Sequence, residues 1–368
     1  KTVVDGSSVS GFQRTVQIGS NGYIEGDFGK IDIATVMLEE DAATPLNKGN
    51  GTIEYRLDRL GIPLIELATS SGINSPEQAK EVAEYIGLLL RSTYVVYGIG
   101  SIRQDINISI KEGARVEIKG FQELEKIPSV VENEVKRQVS LLEIKNELKK
   151  RGFKDTKFPA RDVTSSFRNT KSNFIKKIVD NNGFVYAMIM PKFSGLLKKL
   201  CGDRTFGKEL SAYAGVYELG IIHSDEDVVK YGLGYEFNKL KADMTSGQED
   251  LILITSGFDK QNIENALALV SLRVKQCIYG VPEETRAADG IGSKYARPLP
   301  GSGRLYPESD IEPIRITKEL LSIETPETLM DKRERIVKEF VKGHKMPESL
   351  ARAIVTYGNL RGDEITKI

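Results

Sequence analysis

The chain has 368 residues, 52 Lys+Arg against 52 Asp+Glu, 40% hydrophobic and 28% charged. This is ordinary for a soluble globular protein, and the length is too great for one core, so two or three domains are expected. A formal charge of zero leaves room for nucleic-acid binding only through a local patch, two histidines (His223 and His344) exclude a His-rich metal site, and no apolar run approaches membrane-spanning length.

Cys201 and Cys277 lie far apart and in no metal spacing, so buried free thiols in a reduced, cytoplasmic setting are expected. The first residue is Lys1 and no signal-peptide pattern follows; the chain is expected to begin inside a longer protein.

In chain order, Asn21-Gly22 reads as a turn, and short strands are predicted before Gly26 and after Lys30. IDIATVMLEEDAA then runs apolar into Glu39, Glu40 and Asp41. Acids at a strand end suit ligand binding; the plain alternative is a solvated strand end. Thr44 to Gly51 is rich in Pro, Asn and Gly and reads as an exposed loop. In RLDRLGIPLIELA, Glu66 interrupts an apolar strand; buried there, it would need a cation or an ion pair with Arg56 or Arg59.

Ser75-Pro76-Glu77 has the chemistry of a helix start: an N-cap hydroxyl, proline at the first helical position and an acid in the first turn. Ala79, Val82, Ala83, Ile86, Leu89 and Leu90 give its apolar stripe, and it should end by Gly98.

SIRQDINISIKEGARVEIK, residues 101–119, alternates with period two and reads as two strands with one polar face. A two-residue loop would split the polar residues between faces. A three-residue loop, Lys111-Glu112-Gly113, pairs Asp105 with Lys119, Asn107 with Glu117 and Ser109 with Arg115, with Gly113 in a left-handed position. That face collects carboxylates, an amide, a lysine and arginines, an inventory suited to metal–phosphate chemistry or to a solvated ladder of ion pairs. A second helix follows from about Pro128 to Gly152, with Val131, Val135, Val139, Leu142 and Leu148 on its apolar side.

From about Phe153 to Ser271 the texture is that of a separate α+β module. Arg161, Arg168, Lys171, Lys176, Lys177, Lys198, Lys199 and Arg204 make its first half basic, which is ordinary surface or a phosphate-backbone contact patch. Val281 to Pro313 reads as a long loop, and its Gly301-Ser302-Gly303 is a weak phosphate-loop signal without a Walker pattern. Helices are predicted over 326–341 and 347–357.

Several runs, taken in order, resemble the B/E-type subunit family of glutamyl-tRNA(Gln) amidotransferases, and within it the archaeal E type: MLEEDAA at 37–43, RLDRLGIPLIELA at 56–68, GSIRQDINISI at 100–110 and VEIKGFQELEKI at 116–127, then PEETRAADG and RPLPGSGRLYPESDI. FRNTKS, FGKELS and IIHSDE resemble an insertion domain of bacterial-type aspartyl-tRNA synthetases, which points to the E type rather than B.

The resemblance implies an α+β fold: an antiparallel-sheet, cradle-type catalytic domain with an inserted aspartyl-tRNA-synthetase-like α+β domain and a C-terminal helical region. The expected division is 1–152 for the cradle with its N-terminal part missing, 153–272 for the insertion, 273–318 for the return to the cradle and 319–368 for the start of the helical domain. It also implies a ligase activity: ATP phosphorylates the γ-carboxylate of glutamate carried on tRNA(Gln), and ammonia displaces the phosphate. The implied cofactors are ATP and Mg²⁺. The implied partners are an asparaginase-like, D-type amidotransferase subunit that donates ammonia and glutamyl-tRNA(Gln), in a heterotetramer of two D and two E subunits.

On the family's motifs, Glu39 and Glu66 would hold Mg²⁺, with Glu40 the near alternative to Glu39. Arg103 or Lys119 would stabilise phosphate oxygens, Asp105 would orient the attacking group or guide ammonia, and Glu117 would line the site beside Lys119. The family's early Gly-Leu-Glu-x-His strand has no counterpart in this sequence. The competing readings are a non-catalytic tRNA-binding or assembly subunit and a bacterial B-type subunit fed by an amidase.

Overall fold

A computed structural model describes residues 15–49, 52–96, 102–121, 123–154, 156–299, 315–322, 327 and 329–357. The chain divides into two compact units: Lys1–Ile102 with Pro300–Ile368, and Arg103–Leu299. The expected boundaries follow chain order; compactness instead groups residues from 103 onward with the segment 153–272.

In the first unit, β1 (Thr15–Gly26) and β2 (Gly29–Glu40) form a long antiparallel hairpin, and β5 (Pro63–Thr69) pairs with the other edge of β2. Asn21-Gly22 is not a turn. Asn21 takes φ 57° inside β1, a left-handed conformation that asparagine tolerates, and the strand runs on to turn at Asp27-Phe28 before Gly29. The predicted loop over 44–51 is instead a second hairpin, β3 (Thr44–Gly49) with β4 (Thr52–Arg56).

Helix α1 (Pro76–Arg91) begins as predicted: the Ser75 hydroxyl accepts from the Gln78 N–H at 3.1 Å. Its Val82 is buried with Ile24, Ile31 and Ile33 of the β1–β2 hairpin, with Val36 and Leu67 packed alongside. Its Leu88 is buried with residues of the last two helices, Leu329–Gly343 and Glu348–Tyr357, which lie close to the expected 326–341 and 347–357.

In the second unit, β6 (Gln104–Ile108), β7 (Val116–Phe121), β14 (Glu284–Asp289) and β15 (Gly292–Pro298) form a sheet in the order β15-β14-β7-β6. Within it β7 and β14 run parallel and the other neighbours antiparallel. The predicted loop 281–313 is thus largely a hairpin as far as Pro298, and Gly301–Gly303 lies outside the described residues.

Helix α2 (Ile127–Lys150) contacts β6 and β15. Its buried face is Ile127, Val130, Glu134, Arg137, Gln138, Leu141, Ile144 and Leu148; Val139 is exposed. Of the predicted stripe Leu148 is buried, Val131, Val135 and Leu142 are half-buried and Val139 is not covered, because two of the turns facing inward carry charged residues.

The module after α2 holds β8 (Arg161–Asp162), α3 (Asn173–Asp180), β9 (Phe184–Met190), β10 (Leu200–Cys201), β11 (Arg204–Thr205), α4 (Phe206–Ala214), β12 (Ile221–His223), α5 (Gly234–Asp243), β13 (Leu251–Gly257) and α6 (Lys260–Gln276). Its antiparallel sheet, in the order β12-β13-β9-β8, is buried on both faces. Tyr186, Met188 and Met190 face one core and Val185 and Ala187 the other, which is why FVYAMIM shows no polar alternation. Cys201 and Cys277 are both free and buried, as expected. The C-terminal helices are α7 (Lys318–Leu321), α8 (Leu329–Gly343) and α9 (Glu348–Tyr357).

Candidate active site

The acids at the end of β2 separate into different roles. Glu39 stands opposite Leu64 of β5, and Glu66 opposite Met37. Side chains two apart on a strand share a face, so Glu39 and Glu66 are diagonal neighbours on one face, roughly 7–8 Å apart at their backbones and within reach of long side chains. The other face carries Val36 and Leu67, which pack towards α1, so the pair projects away from the α1 core. Thr15 Oγ1, in the same row, donates to Glu39 Oε1 at 3.0 Å.

Glu40 stands opposite Pro63, one residue out of phase, and so lies on the opposite face from the pair. It does not join them. Asp41 is structural: it accepts from Arg59 Nε at 2.6 Å and from the Ala42 N–H at 2.9 Å. Glu66 is exposed, not buried as its apolar neighbours suggested, because it projects from the face turned away from the α1 core. Among the described residues no group of three or more His, Cys, Asp or Glu could hold a metal. Two carboxylates on one face still fit Mg²⁺, which is held by one or two protein carboxylates and completes its shell with waters and phosphate oxygens.

The second cluster lies on β6 and β7. Asn107 pairs with Glu117, as the sequence predicted, and Ile106 with Ile118. The hairpin loop is longer than three residues: β6 ends at Ile108 and β7 begins at Val116, so Ser109 and Arg115 leave the ladder. Gly113 is not left-handed. A Cβ there would sit 2.1 Å from Gln138 Oε1 and 2.7 Å from Ile110 Cγ1, so glycine is needed for space. Beyond Ile106 the register shifts at a bulge, where Gly120 takes φ 92°.

Asp105 and Lys119 meet nonetheless: Lys119 Nζ lies 2.6 Å from Asp105 Oδ2 and 3.1 Å from Glu117 Oε1. Partial burial pulls the Lys119 ammonium down, but the hydrogen bonds and charges of Asp105 and Glu117 outweigh it and raise its pKa above the ordinary lysine value. Lys119 is therefore a fixed cation at neutral pH, suited to binding an anion and not to taking a proton. Arg103 is exposed just before β6 and makes no hydrogen bond or ion pair among the described residues.

Sequence reasoning missed Thr285. It stands beside Glu117 in the parallel β7–β14 pair, and its hydroxyl donates to Glu117 Oε2 at 3.1 Å. The alternation Glu284-Thr285-Arg286 was its signal, hidden by reading the run as a loop.

On the opposite face of this sheet lies a buried charge network that sequence reasoning also missed. Arg137 Nε and Nη2 donate to Glu134 at 2.8 and 3.0 Å. Glu209 accepts from Arg137 Nη1 at 2.7 Å and from Arg286 Nη1 and Nη2 at 2.8 Å each. Arg286 Nη1 also reaches Glu284 Oε1 at 2.5 Å, and the Tyr213 hydroxyl donates to Glu284. Burial pushes the Glu209 carboxyl up, but Arg286 and Arg137 outweigh it and hold it well below the usual range. Arg273 is fully buried against the Phe206 and Tyr213 rings, where the charges of Glu284 and Glu209 favour its ionised form. The network joins α2, α4 and β14 and fixes the strand that carries Thr285.

The carboxylate pair belongs to the first unit and the lysine cluster to the second. Both fall within a match to the GatB/GatE catalytic domain over residues 1–322. Curated relatives named as the E subunit of glutamyl-tRNA(Gln) amidotransferase are similar along nearly the whole chain. The protein of Pyrococcus abyssi is 46% identical over 362 residues, 96% of this chain and 57% of its own length. That of Methanococcus maripaludis is 42% identical over 364 residues, again 96% and 57%, and that of Archaeoglobus fulgidus 42% over 342, or 92% and 55%. The chain thus spans little more than half the length of these relatives. A match covering both polar clusters and the strands that build them settles the affiliation: the chain belongs to the GatB/GatE catalytic-domain family.

Proposed function

We propose that the chain is the catalytic part of an archaeal E-type subunit, acting with ATP and Mg²⁺ to convert glutamyl-tRNA(Gln) to glutaminyl-tRNA(Gln). The γ-carboxylate of the tRNA-bound glutamate attacks the γ-phosphorus of ATP; ADP leaves, and ammonia then displaces phosphate from the acyl phosphate. The observation that carries this reading is the family match across residues 1–322, together with relatives named for that reaction. An asparaginase-like, D-type partner would supply the ammonia, in a cytoplasmic assembly of two D and two E subunits, and 153–272 would be an aspartyl-tRNA-synthetase-like insertion.

Phosphoryl transfer needs positioning and charge neutralisation more than covalent help from the protein. Glu39 and Glu66 would hold Mg²⁺, with Thr15 fixing one oxygen of Glu39. Bound there, the metal would neutralise charge on the phosphate oxygens. Lys119, held as a cation by Asp105 and Glu117, would bind a phosphate oxygen, and Arg103 would supply a second cation. Asp105 would also face the attacking group or ammonia. Replacing Glu66 with Gln in the full-length protein should abolish ATP-dependent amidation while tRNA binding, read by filter retention, survives; unchanged turnover would remove Glu66 from the site.

A further inference from the structure

Glu117 has two carboxylate oxygens with different duties. Oε1 lies 3.1 Å from Lys119 Nζ, and Oε2 accepts from the Thr285 hydroxyl at 3.1 Å. A carboxylate is planar, so engaging one oxygen with a fixed donor sets where the other points. Thr285 is such a donor: it is 2% exposed, and its neighbours Glu284 and Arg286 turn to the opposite face and enter the buried charge network. A strand held on both sides in this way has little freedom to shift its hydroxyl.

Lys119 then has its geometry imposed. Two of its three N–H bonds are spoken for by Asp105 at 2.6 Å and Glu117 at 3.1 Å, which leaves the third with one direction. If packing alone mattered at position 285, valine would fill the same shape. A buried hydroxyl is costly unless it is hydrogen-bonded, and here Glu117 provides the acceptor.

We propose that Thr285 is a positioning residue: its hydroxyl orients Glu117, and Glu117 with Asp105 aims the remaining N–H of Lys119 at an anionic group of the substrate. The proposal rests on the reading of Lys119 as a phosphate-binding cation. It assigns Thr285 no contact with substrate.

The test compares Thr285→Val, which keeps the shape, with Thr285→Ser, which keeps the hydroxyl, in the full-length protein assembled with its ammonia-donating partner. The first readout is the ¹³C chemical shift of the Glu117 carboxylate at neutral pH with labelled glutamate, assigned through Glu117→Gln. Thr285→Val removes the donor to Oε2, so that resonance should move in Thr285→Val and stay in place in Thr285→Ser. The second is amidation with ATP–Mg²⁺ and glutamyl-tRNA(Gln): misaiming a cation that acts in the transition state should lower kcat about tenfold in Thr285→Val with KM for ATP little changed, and serine should restore it. A Glu117 carboxylate resonance unchanged in Thr285→Val, or equal losses in the valine and serine variants, overturns the proposal. If the resonance moves as expected but turnover is unchanged in both Thr285→Val and Lys119→Met, Thr285 still orients Glu117 and it is the phosphate role of Lys119 that falls.

Discussion

Glu209→Gln is a severe test of the buried network, because it changes a charge and almost no volume. Glu209 is fully buried and accepts three charged hydrogen bonds, one from Arg137 and two from Arg286. Glutamine can accept with its oxygen, but its amide group turns a donor towards guanidinium donors. One positive charge is left without compensation in a dry site. Removing one partner of a buried ion pair costs about 3–5 kcal/mol; with Glu134 and Glu284 still present, we take the lower end, about 3 kcal/mol.

The unit that contains the network runs from Arg103 to Leu299. For a unit of that size a loss of about 3 kcal/mol corresponds to a fall in Tm of roughly 6–12 °C. Near-UV circular dichroism at neutral pH reads it. Pairing Glu209→Met with Arg286→Met should cost less than the sum of the two singles, since each single leaves a charge that the double removes. The pH dependence has a fixed sign. A carboxyl held below its unfolded value stabilises the fold above about pH 4.5, and that stability is lost as the pH falls towards the folded value. The gap between wild type and Glu209→Gln should therefore narrow in acid. A Glu209→Gln protein melting within about 2 °C of wild type at neutral pH would refute the network as a source of stability.

Two further outcomes follow from the same unit. A Cβ at Gly207 would lie 2.4 Å from His223 Nε2, so Gly207→Ala should destabilise by about 1–3 kcal/mol, read as a lower urea midpoint. Burial pushes the His223 imidazole down to about 4, with Lys198 acting in the same direction and Asp225 against. The folded state refuses a proton that the unfolded state takes up below about pH 6.5, so this contribution is whole above pH 6.5 and lost towards pH 4. Urea midpoints at pH 7 and pH 4.5 should fall less steeply in His223→Asn than in wild type.

The parts of the fold that rest on local chemistry were legible in the sequence. Ser75-Pro76 caps a helix because an N-cap hydroxyl and an N1 proline satisfy local geometry alone. The Asn107–Glu117 register was legible because the apolar alternation allows one phase. The face of α2 was not: the apolar stripe passes over Glu134 and Arg137, and the partner that lets Arg137 stay inside, Glu209, lies 72 residues on. The strand at Glu284–Asp289 was obscured in the same way, since its charged residues are neutralised by distant elements and its neighbour β7 is remote in sequence. At the site, motif resemblance selected Glu39 and Glu66, while only the register shows that they share a face and that Glu40 does not.

The parallel pairing of β7 with β14 also bears on the order of assembly. Phe121 ends one strand and Glu284 begins its neighbour, leaving about 160 residues between them; closing a flexible loop of that length costs roughly 4–5 kcal/mol beyond a constant. The intervening chain is not flexible. After α6 it returns to α2 so closely that a Cβ on Gly280 would touch Leu142 Cδ2 at 3.1 Å. Once the module has folded, the unstructured gap left to close is a few residues and not the whole detour. During synthesis from the N-terminus, β7 must wait with one edge unpaired until the module has condensed and delivered β14 to it. The module then serves as the jig on which the sheet bearing Lys119 is completed.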